Sequence, residues 1–276
     1  MVQRAAVCTA EKGLHAGAIM INKGTVIRGK RWGKRLTERL RTPPLGISQW
    51  MRRHTDVVKD DASTLAGCLR ISRRRRFLKL YRSRNLLFKL LCLARLARPM
   101  ATFRTALVLA ASEVPIPRPL SCVLVSEGLL MLSEGLDSSR DYCALWEAGQ
   151  SGEELYRMMR GAALTLSVLH RAGYTHGDCK WRNLLWIDGE CFMVDLDGAR
   201  RRRLFAARAR ARDVARFTVS AEEAGVPSSL LQAFLDSYVA HSGVAREELL
   251  RRMQPNLEKL RGRHLEKYGI TPQPLL

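Results

Sequence analysis

No apolar run in the 276-residue sequence is long enough to span a bilayer. Lys or Arg interrupts every hydrophobic stretch well before the roughly 18 to 20 residues that a spanning helix needs. The opening segment, MVQRAAVCTAEKGLHAGAIMINKG, carries charges ahead of its one apolar patch, and no small-residue cleavage pattern follows, so a signal peptide is not expected. CxxC pairs are missing too. The seven cysteines stand singly at 8, 68, 92, 122, 143, 179 and 191, which excludes a disulfide framework and a cysteine zinc site and leaves reduced thiols in a cytosolic chain. Internal repeats are absent. What is scarce above all is negative charge: 26 Asp and Glu face 47 Lys and Arg, for a formal charge of +21. With 46% hydrophobic residues, this is nevertheless the composition of a folded protein, not of a disordered polybasic tail.

The positive charge is clustered. Residues 70 to 98 hold Arg70, Arg73, Arg74, Arg75, Arg76, Lys79, Arg82, Arg84, Lys89, Arg95 and Arg98 without one acidic residue, and residues 23–41 and 200–216 are the other concentrations. Such a field recruits polyanions: nucleic acid, an anionic membrane surface or a phosphorylated substrate.

Residues 1–48 read as a basic N-terminal extension that closes near the helix-breaking Pro43-Pro44. Beyond it, CLRIS and FLKLY are short β-favouring runs joined by a tight polar link, which predicts a hairpin. NLLFKLLCLARLARPM and ATFRTALVLAASE have helical spacing, interrupted at Pro99, and the prolines of VPIPRPLSCVLV give an extended entry to another strand. SGEELYRMMRGAALTLSVLHRAG predicts one long helix with Ser151 as N-cap, Glu154 completing a capping box and Gly173 as its stop. The order is a β-rich unit over 49–129, then a larger helical unit over 130–276.

Directly after the long helix comes YTHGDCKWRNLLWIDGECFMVDLDGAR. It holds an Asp, a Lys and an Asn at fixed spacing in a turn, then a hairpin, then a second Asp. Phosphoryl transfer from ATP calls for such a set. One carboxylate must orient the acceptor hydroxyl and take its proton, which suits Asp178. An amide oxygen and another carboxylate must hold magnesium, a hard cation that wants oxygen ligands, which suits Asn183 and Asp195. Lys180 can reach the transferred phosphate. Five residues separate Asp178 from Asn183, as in the pattern H-x-D-x-x-x-x-N.

These residues, His176-Gly177-Asp178, Lys180, Asn183 and Asp195-Leu196-Asp197-Gly198, resemble the protein-kinase-like superfamily. The resemblance implies an α+β, two-lobed protein-kinase-like fold with a small β-rich N-lobe and a larger helical C-lobe. It also implies a phosphate-gripping lysine on a small-lobe strand. Lys79 in RFLKLYR is that residue, with Lys59 in reserve. It implies too that Asp213 in ARDVARF braces the catalytic loop, that Asp197 is either a magnesium-side carboxylate or a turn former, and that Trp181 and Arg182 face the acceptor. Three departures stand out. There is no G-x-G-x-x-G, so DDASTLAG would have to cover the phosphates. The helix ATFRTALVLAASE lacks a lysine-pairing glutamate except Glu113 at its very end. Gly177 stands where regulated protein kinases have Arg.

From about Asp56 to Tyr238 the chain is similar to bacterial lipopolysaccharide core sugar kinases of the Kdo and heptose type, on VVKDDASTLAG, FLKLYR with its basic helical insert, VPIPRPL, HGDCKWRNLLW, VDLDGAR and RDVARF in order. This implies an ATP- and Mg2+-dependent transfer to a sugar hydroxyl of a core glycolipid by a cytoplasmic enzyme held peripherally at the inner membrane. The segment Asn85–Ala97 is leucine-rich and basic, as an anionic membrane surface would want, although an ordinary lobe helix burying those leucines has the same pattern. Two alternatives remain at this point: an atypical RIO-like protein kinase associated with RNA, where nucleic acid would be the partner, and a catalytically dead pseudokinase acting as a binding module.

Overall fold

The computed structural model describes residues 24–40, 46–137, 139–269 and 273–276. Pro43-Pro44 and most of the expected extension lie outside them. Its chain begins with β1 (Thr25–Arg28), α1 (Lys30–Arg39), α2 (Ile47–His54), β2 (Asp56–Asp60), β3 (Thr64–Ile71), β4 (Arg74–Arg82), α3 (Leu86–Leu93), α4 (Arg98–Ala111), β5 (Pro119–Val125) and β6 (Gly128–Glu134). The strands form one six-stranded sheet in the order β1-β5-β6-β4-β3-β2. The expected CLRIS and FLKLY hairpin is β3–β4, linked by Ser72 and Arg73 at φ 53° and 63°. Two consecutive left-handed residues give a turn whose twist matches that of the strands.

Strand alternation sorts side chains to two faces. Leu78 and Leu80 of β4, with Val123, Val125, Leu130 and Leu132, pack against Leu36 of α1 and Trp50 and Met51 of α2. Each leucine so buried stabilises by about 1.5–3 kcal/mol. The opposite face carries Cys122, Leu124 and Leu129 under Cys92 of α3 and Met100 and Phe103 of α4. Lys79 falls between Leu78 and Leu80, so it must lie on this second face, cross-strand from Met131. Residues 25–39, expected within an extension, instead add an edge strand beside β5 and a helix, with the Arg76 guanidinium 4.4 Å above the Trp32 ring. The break between the two helices also moves. It falls at Ala94–Ala97, where Arg95 is left-handed (φ 63°), and Pro99 sits in the first turn of α4, where its missing N–H has no partner to lose.

The large lobe follows: β7 (Arg140–Asp141), α5 (Tyr142–Glu147), α6 (Gly152–Arg171), β8 (Tyr174–Thr175), β9 (Leu184–Ile187), β10 (Glu190–Met193), β11 (Arg200–Arg201), α7 (Ala206–Glu223), α8 (Ser228–Ser242) and α9 (Arg246–Tyr268). The long predicted helix is α6. Ser151 accepts from the Glu154 backbone N–H at 3.4 Å, but the Glu154 carboxylate does not close the box. It turns away to accept from Trp186 Nε1 at 2.6 Å, pinning α6 to β9. Gly161 makes that approach possible, because a Cβ there would stand 2.5 Å from the Trp186 ring. Met158, Met159, Leu166 and Leu169 of α6 bury against Phe217 of α7 and Phe234 and Tyr238 of α8. No helix among the described residues is long and apolar enough to cross a membrane.

Candidate active site

The turn after β8 holds His176, Gly177 and Asp178, and a carboxylate from α7 shapes it. Asp213, 1% exposed, accepts from the His176 N–H at 2.6 Å, the Gly177 N–H at 2.8 Å and His170 Nε2 at 3.2 Å. Burial opposes its charge, but the His170 hydrogen bond and the neighbouring imidazoles outweigh that and hold Asp213 below the usual carboxylate range. Burial conversely depresses His170. A neutral ring is thus satisfied at both ends, donating from Nε2 to Asp213 and accepting at Nδ1 from the Tyr238 hydroxyl at 2.7 Å. The bracing role expected for Asp213 is what the hydrogen bonds describe. Gly177 also acquires a reason: its φ is +86°, and a Cβ would meet the Gly198 carbonyl oxygen at 2.7 Å, which excludes the arginine of regulated protein kinases.

Asp178 emerges half-exposed from this turn. Its Oδ2 lies 2.9 Å from Lys180 Nζ and its Oδ1 3.6 Å from Arg216 Nε. Burial raises its affinity for a proton, but the Lys180 hydrogen bond and charge, followed by Arg216, pull it below the usual range, so it is ionised at neutral pH. Asn183 donates from Nδ2 to the Asp178 carbonyl at 2.9 Å and to its Oδ2 at 3.2 Å, which leaves the amide oxygen for another partner. The β9–β10 hairpin then places the second acid. Met193 pairs with Leu184 and the Val194 N–H donates to the Asn183 carbonyl at 2.9 Å, so Asp195 follows at the open end of the hairpin beside the catalytic turn. His176 ties the two segments by its Nε2 contact to the Val194 carbonyl at 2.9 Å.

Across the cleft, Lys79 Nζ reaches Asp195 Oδ1 at 3.0 Å and Asp197 Oδ2 at 2.8 Å. Burial disfavours the ammonium, yet Asp197 and Asp195 more than offset it and raise Lys79 above its ordinary value. Lys59, the reserve, pairs instead with Asp61 at 3.0 Å on the outer hairpin. Asp197 therefore takes the part of the missing helix glutamate, and the Tyr81 hydroxyl donates to its other oxygen at 2.7 Å. Glu113 is exposed at the end of α4 and has no part in it. The signal for Asp197 was present in the doubled acid of DLDG together with the lack of a glutamate on the helix. Arg216, which the sequence motifs did not single out, stands one turn from Asp213 on α7, a spacing that puts both toward the catalytic loop.

The sequence matches the model of the "Lipopolysaccharide kinase (Kdo/WaaP) family" over residues 48–238, more than half of the chain. The chain belongs to that family. It is a phosphotransferase that moves phosphate to a sugar hydroxyl, which decides against the RIO-like and pseudokinase alternatives. Among solved structures, the kinase is similar to one described as "WaaP in complex with acyl carrier protein", with 18% identity, a TM-score of 0.54, and coverage of 81% of this chain and 93% of that one. That likeness confirms the two-lobed α+β fold. No curated protein matches the sequence.

Two expectations for this kinase are corrected by its geometry, and two open points are decided by it. Trp181 cannot face an acceptor: it is fully buried, edge-on to Tyr142 and tilted on Phe217, because the short 3-10 turn over Trp181–Asn183 directs it into the core. Arg182 alone of the two lines the cleft beside Asp178. The segment DDASTLAG makes no phosphate cradle of free amides. Its turn is closed by Asp61, whose Oδ1 accepts from the Ser63 and Thr64 N–H groups at 2.9 and 2.8 Å. Cys179, next to Asp178, is 1% exposed, and burial pushes its thiol well above the usual range, so it is inert. Finally, most leucines of α3 are not buried: Leu91 packs against the sheet, but Leu86, Leu87, Leu90 and Leu93 are all about half or more exposed, and Leu96 beyond it is 69% exposed.

Proposed function

We propose that this kinase phosphorylates a heptose or Kdo hydroxyl of the lipopolysaccharide core from ATP and Mg2+ at the cytoplasmic face of the inner membrane. The observation that carries the reading is the convergence on one cleft of three separate segments: β4 with Lys79, the turn with Asp178 and Asn183, and the end of the β9–β10 hairpin with Asp195. In it Asp178, ionised and aimed by Asn183, accepts the proton of the attacking hydroxyl. Lys180 lies against the same carboxylate and balances charge on the phosphoryl group in transfer. Lys79 exchanges its contact with Asp195 for the nucleotide phosphates while Asp197 keeps it oriented. Mg2+, when bound, would neutralise the phosphates from the Asn183 amide oxygen and the Asp195 carboxylate. Those two hard oxygen donors fit an ion that is completed by substrate phosphates rather than by a protein cage. The lobe boundary we propose follows β6 at Glu134.

Transfer of label from ATP to purified core glycolipid tests this. Mg2+-dependent incorporation is expected, and none with any heptose- or Kdo-bearing core would overturn the reading. Lys79→Met is expected to raise the KM for ATP and lower turnover by roughly 10- to 100-fold together, since charge-assisted hydrogen bonds contribute about 1.5–3 kcal/mol. Unchanged ATP kinetics would remove Lys79 from the nucleotide site.

The outward leucines of α3, flanked by exposed Arg84, Arg95 and Arg98, support peripheral docking on anionic lipid, where each basic residue adds about 1 kcal/mol. Replacing Leu86, Leu90 and Leu93 together by Ser is expected to reduce co-flotation with phosphatidylglycerol vesicles at least tenfold while leaving thermal stability unchanged. Flotation equal to that of the parent would exclude α3 as the docking element.

A further inference from the structure

An open cleft of about 1070 Å3 lies on the side of Asp178 away from the nucleotide residues: Asp178 and Lys180 line it, whereas Lys79, Asn183 and Asp195 do not. Its far wall is α9, whose residues lie beyond the matched stretch 48–238. The cleft is basic on balance, with six Lys and Arg side chains lining it against the carboxylates of Glu147, Asp178 and Glu223. Lys180 and Arg216 are engaged with Asp178, but Arg182, Arg212, Arg263 and Lys267 line it with no carboxylate partner among the described residues. Tyr268 adds a half-exposed ring, 4.6 Å from that of His264, with the Lys267 ammonium 4.8 Å above it.

This wall is rigidly tied to the catalytic loop. Arg261 of α9 grips the fully buried Glu222 of α7 through two nitrogens at 3.0 and 2.5 Å. A second connection runs from Asp178 to Arg216 at 3.6 Å, from Arg216 to Glu223 at 3.3 Å and from Glu223 to His264 at 3.2 Å. Cations left without partners, beside an aromatic ring and at a set place relative to the base, are what recognition of an acidic sugar needs.

We propose that Arg212, Arg263 and Lys267 form an anion-reading subsite for the acceptor, so that the sugar presented to Asp178 is selected by carboxylate or phosphate groups carried on neighbouring residues of its oligosaccharide. The proposal rests on the kinase reading above and adds to it the part of the acceptor that is read and the helix that reads it.

The test uses the full-length protein and deacylated core oligosaccharide, which removes any contribution from membrane. Calorimetric Kd for the oligosaccharide, KM for ATP and phosphate transfer are measured for the parent, for Arg263→Ala with Lys267→Ala, and for Arg251→Ala with Lys259→Ala, which removes the same charge from the same helix outside the cleft. The first pair is expected to weaken oligosaccharide binding at least tenfold with ATP KM unchanged, and the second to leave both as in the parent. Carboxyl-reduced and phosphatase-treated oligosaccharides identify the group read: the one whose loss abolishes the difference between parent and Arg263→Ala/Lys267→Ala is the ligand. Equal weakening by both pairs, parent-like binding by the first pair, no binding by the parent, or indifference to both chemical treatments would each overturn the subsite. Binding that depends on Arg263 and Lys267 without phosphate transfer would instead sink the proposed reaction and leave the subsite standing.

Discussion

Asp178→Asn is expected to lower turnover by about 10³-fold while leaving ATP affinity nearly intact. General-base assistance contributes roughly 10² to 10⁴ in rate, and a factor of 10³ corresponds to about 4 kcal/mol of barrier. The amide is nearly isosteric and can still accept from Asn183 Nδ2, now 3.2 Å from Oδ2, so the loop should keep its shape. What it loses is the ability to take a proton and the charge that aligns Lys180 and Arg216. Because Asp178 is 42% exposed, its ion pairs with these residues are solvent-screened and the substitution should hardly change stability. Single-turnover transfer at saturating ATP and acceptor, beside a nucleotide titration, measures both quantities. A variant that retained a tenth of parental turnover would show that the hydroxyl proton leaves by another route.

Asp213→Asn is expected to damage both stability and activity, without touching substrate. The carboxylate accepts from two backbone N–H groups and from His170, and all of these donors converge on two oxygens that are almost wholly buried. An amide must turn its NH2 toward one of those donors, leaving a buried N–H unsatisfied and the imidazole without its anion. Breaking a buried charged network from one side costs about 3–5 kcal/mol, a large share of the about 5–15 kcal/mol that holds a typical protein together. For a chain of this size that is a fall in Tm of roughly 6 to 20 °C. Turnover should fall even well below the new Tm, since His176 and Gly177 lose the anchor that presents Asp178. The acid side of the stability profile gives a further check. Asp213 binds its proton less readily when folded, so its contribution is complete above its ordinary value of 3.8 and is lost as pH falls through its lower folded value. The asparagine variant should lack that step. A variant as stable as the parent, and as active, would mean that the loop is held by other contacts.

The layout of the cleft was legible in the sequence wherever it depends on spacing within a few residues. Asp178, Lys180 and Asn183 share one turn, and the hairpin that returns Asp195 is encoded by LLWI, a tight DG turn and CFMV. Lys79 was legible because alternation in RFLKLYR can only set it opposite the leucines that enter the core. Local pattern failed where two outcomes share one pattern. The leucines of α3 repeat as they would on a buried helix, and only the tertiary structure shows most of them facing outward. Trp181 sits in the catalytic loop, but the sense of a 3-10 turn decides whether its ring meets solvent or Phe217.

The sequence by itself determined the reaction class, the turn that carries Asp178, Lys180 and Asn183, the face of β4 on which Lys79 lies and the excess of positive charge. Tertiary structure decided what those groups meet. Asp197 reaches Lys79 across 118 residues of chain, Asp213 braces Gly177 from 36 residues away, and α9 brings Arg263 and Lys267 to the cleft of Asp178. Residues 25–39, a basic segment by composition, became an edge strand and a covering helix because the sheet had an open edge beside β5 and apolar surface left to bury. The physical reason is the same in each case. Turn chemistry and strand alternation are set by neighbours along the chain, whereas a charge finds its partner, and a helix its outward face, only when distant segments compete to cover the same core.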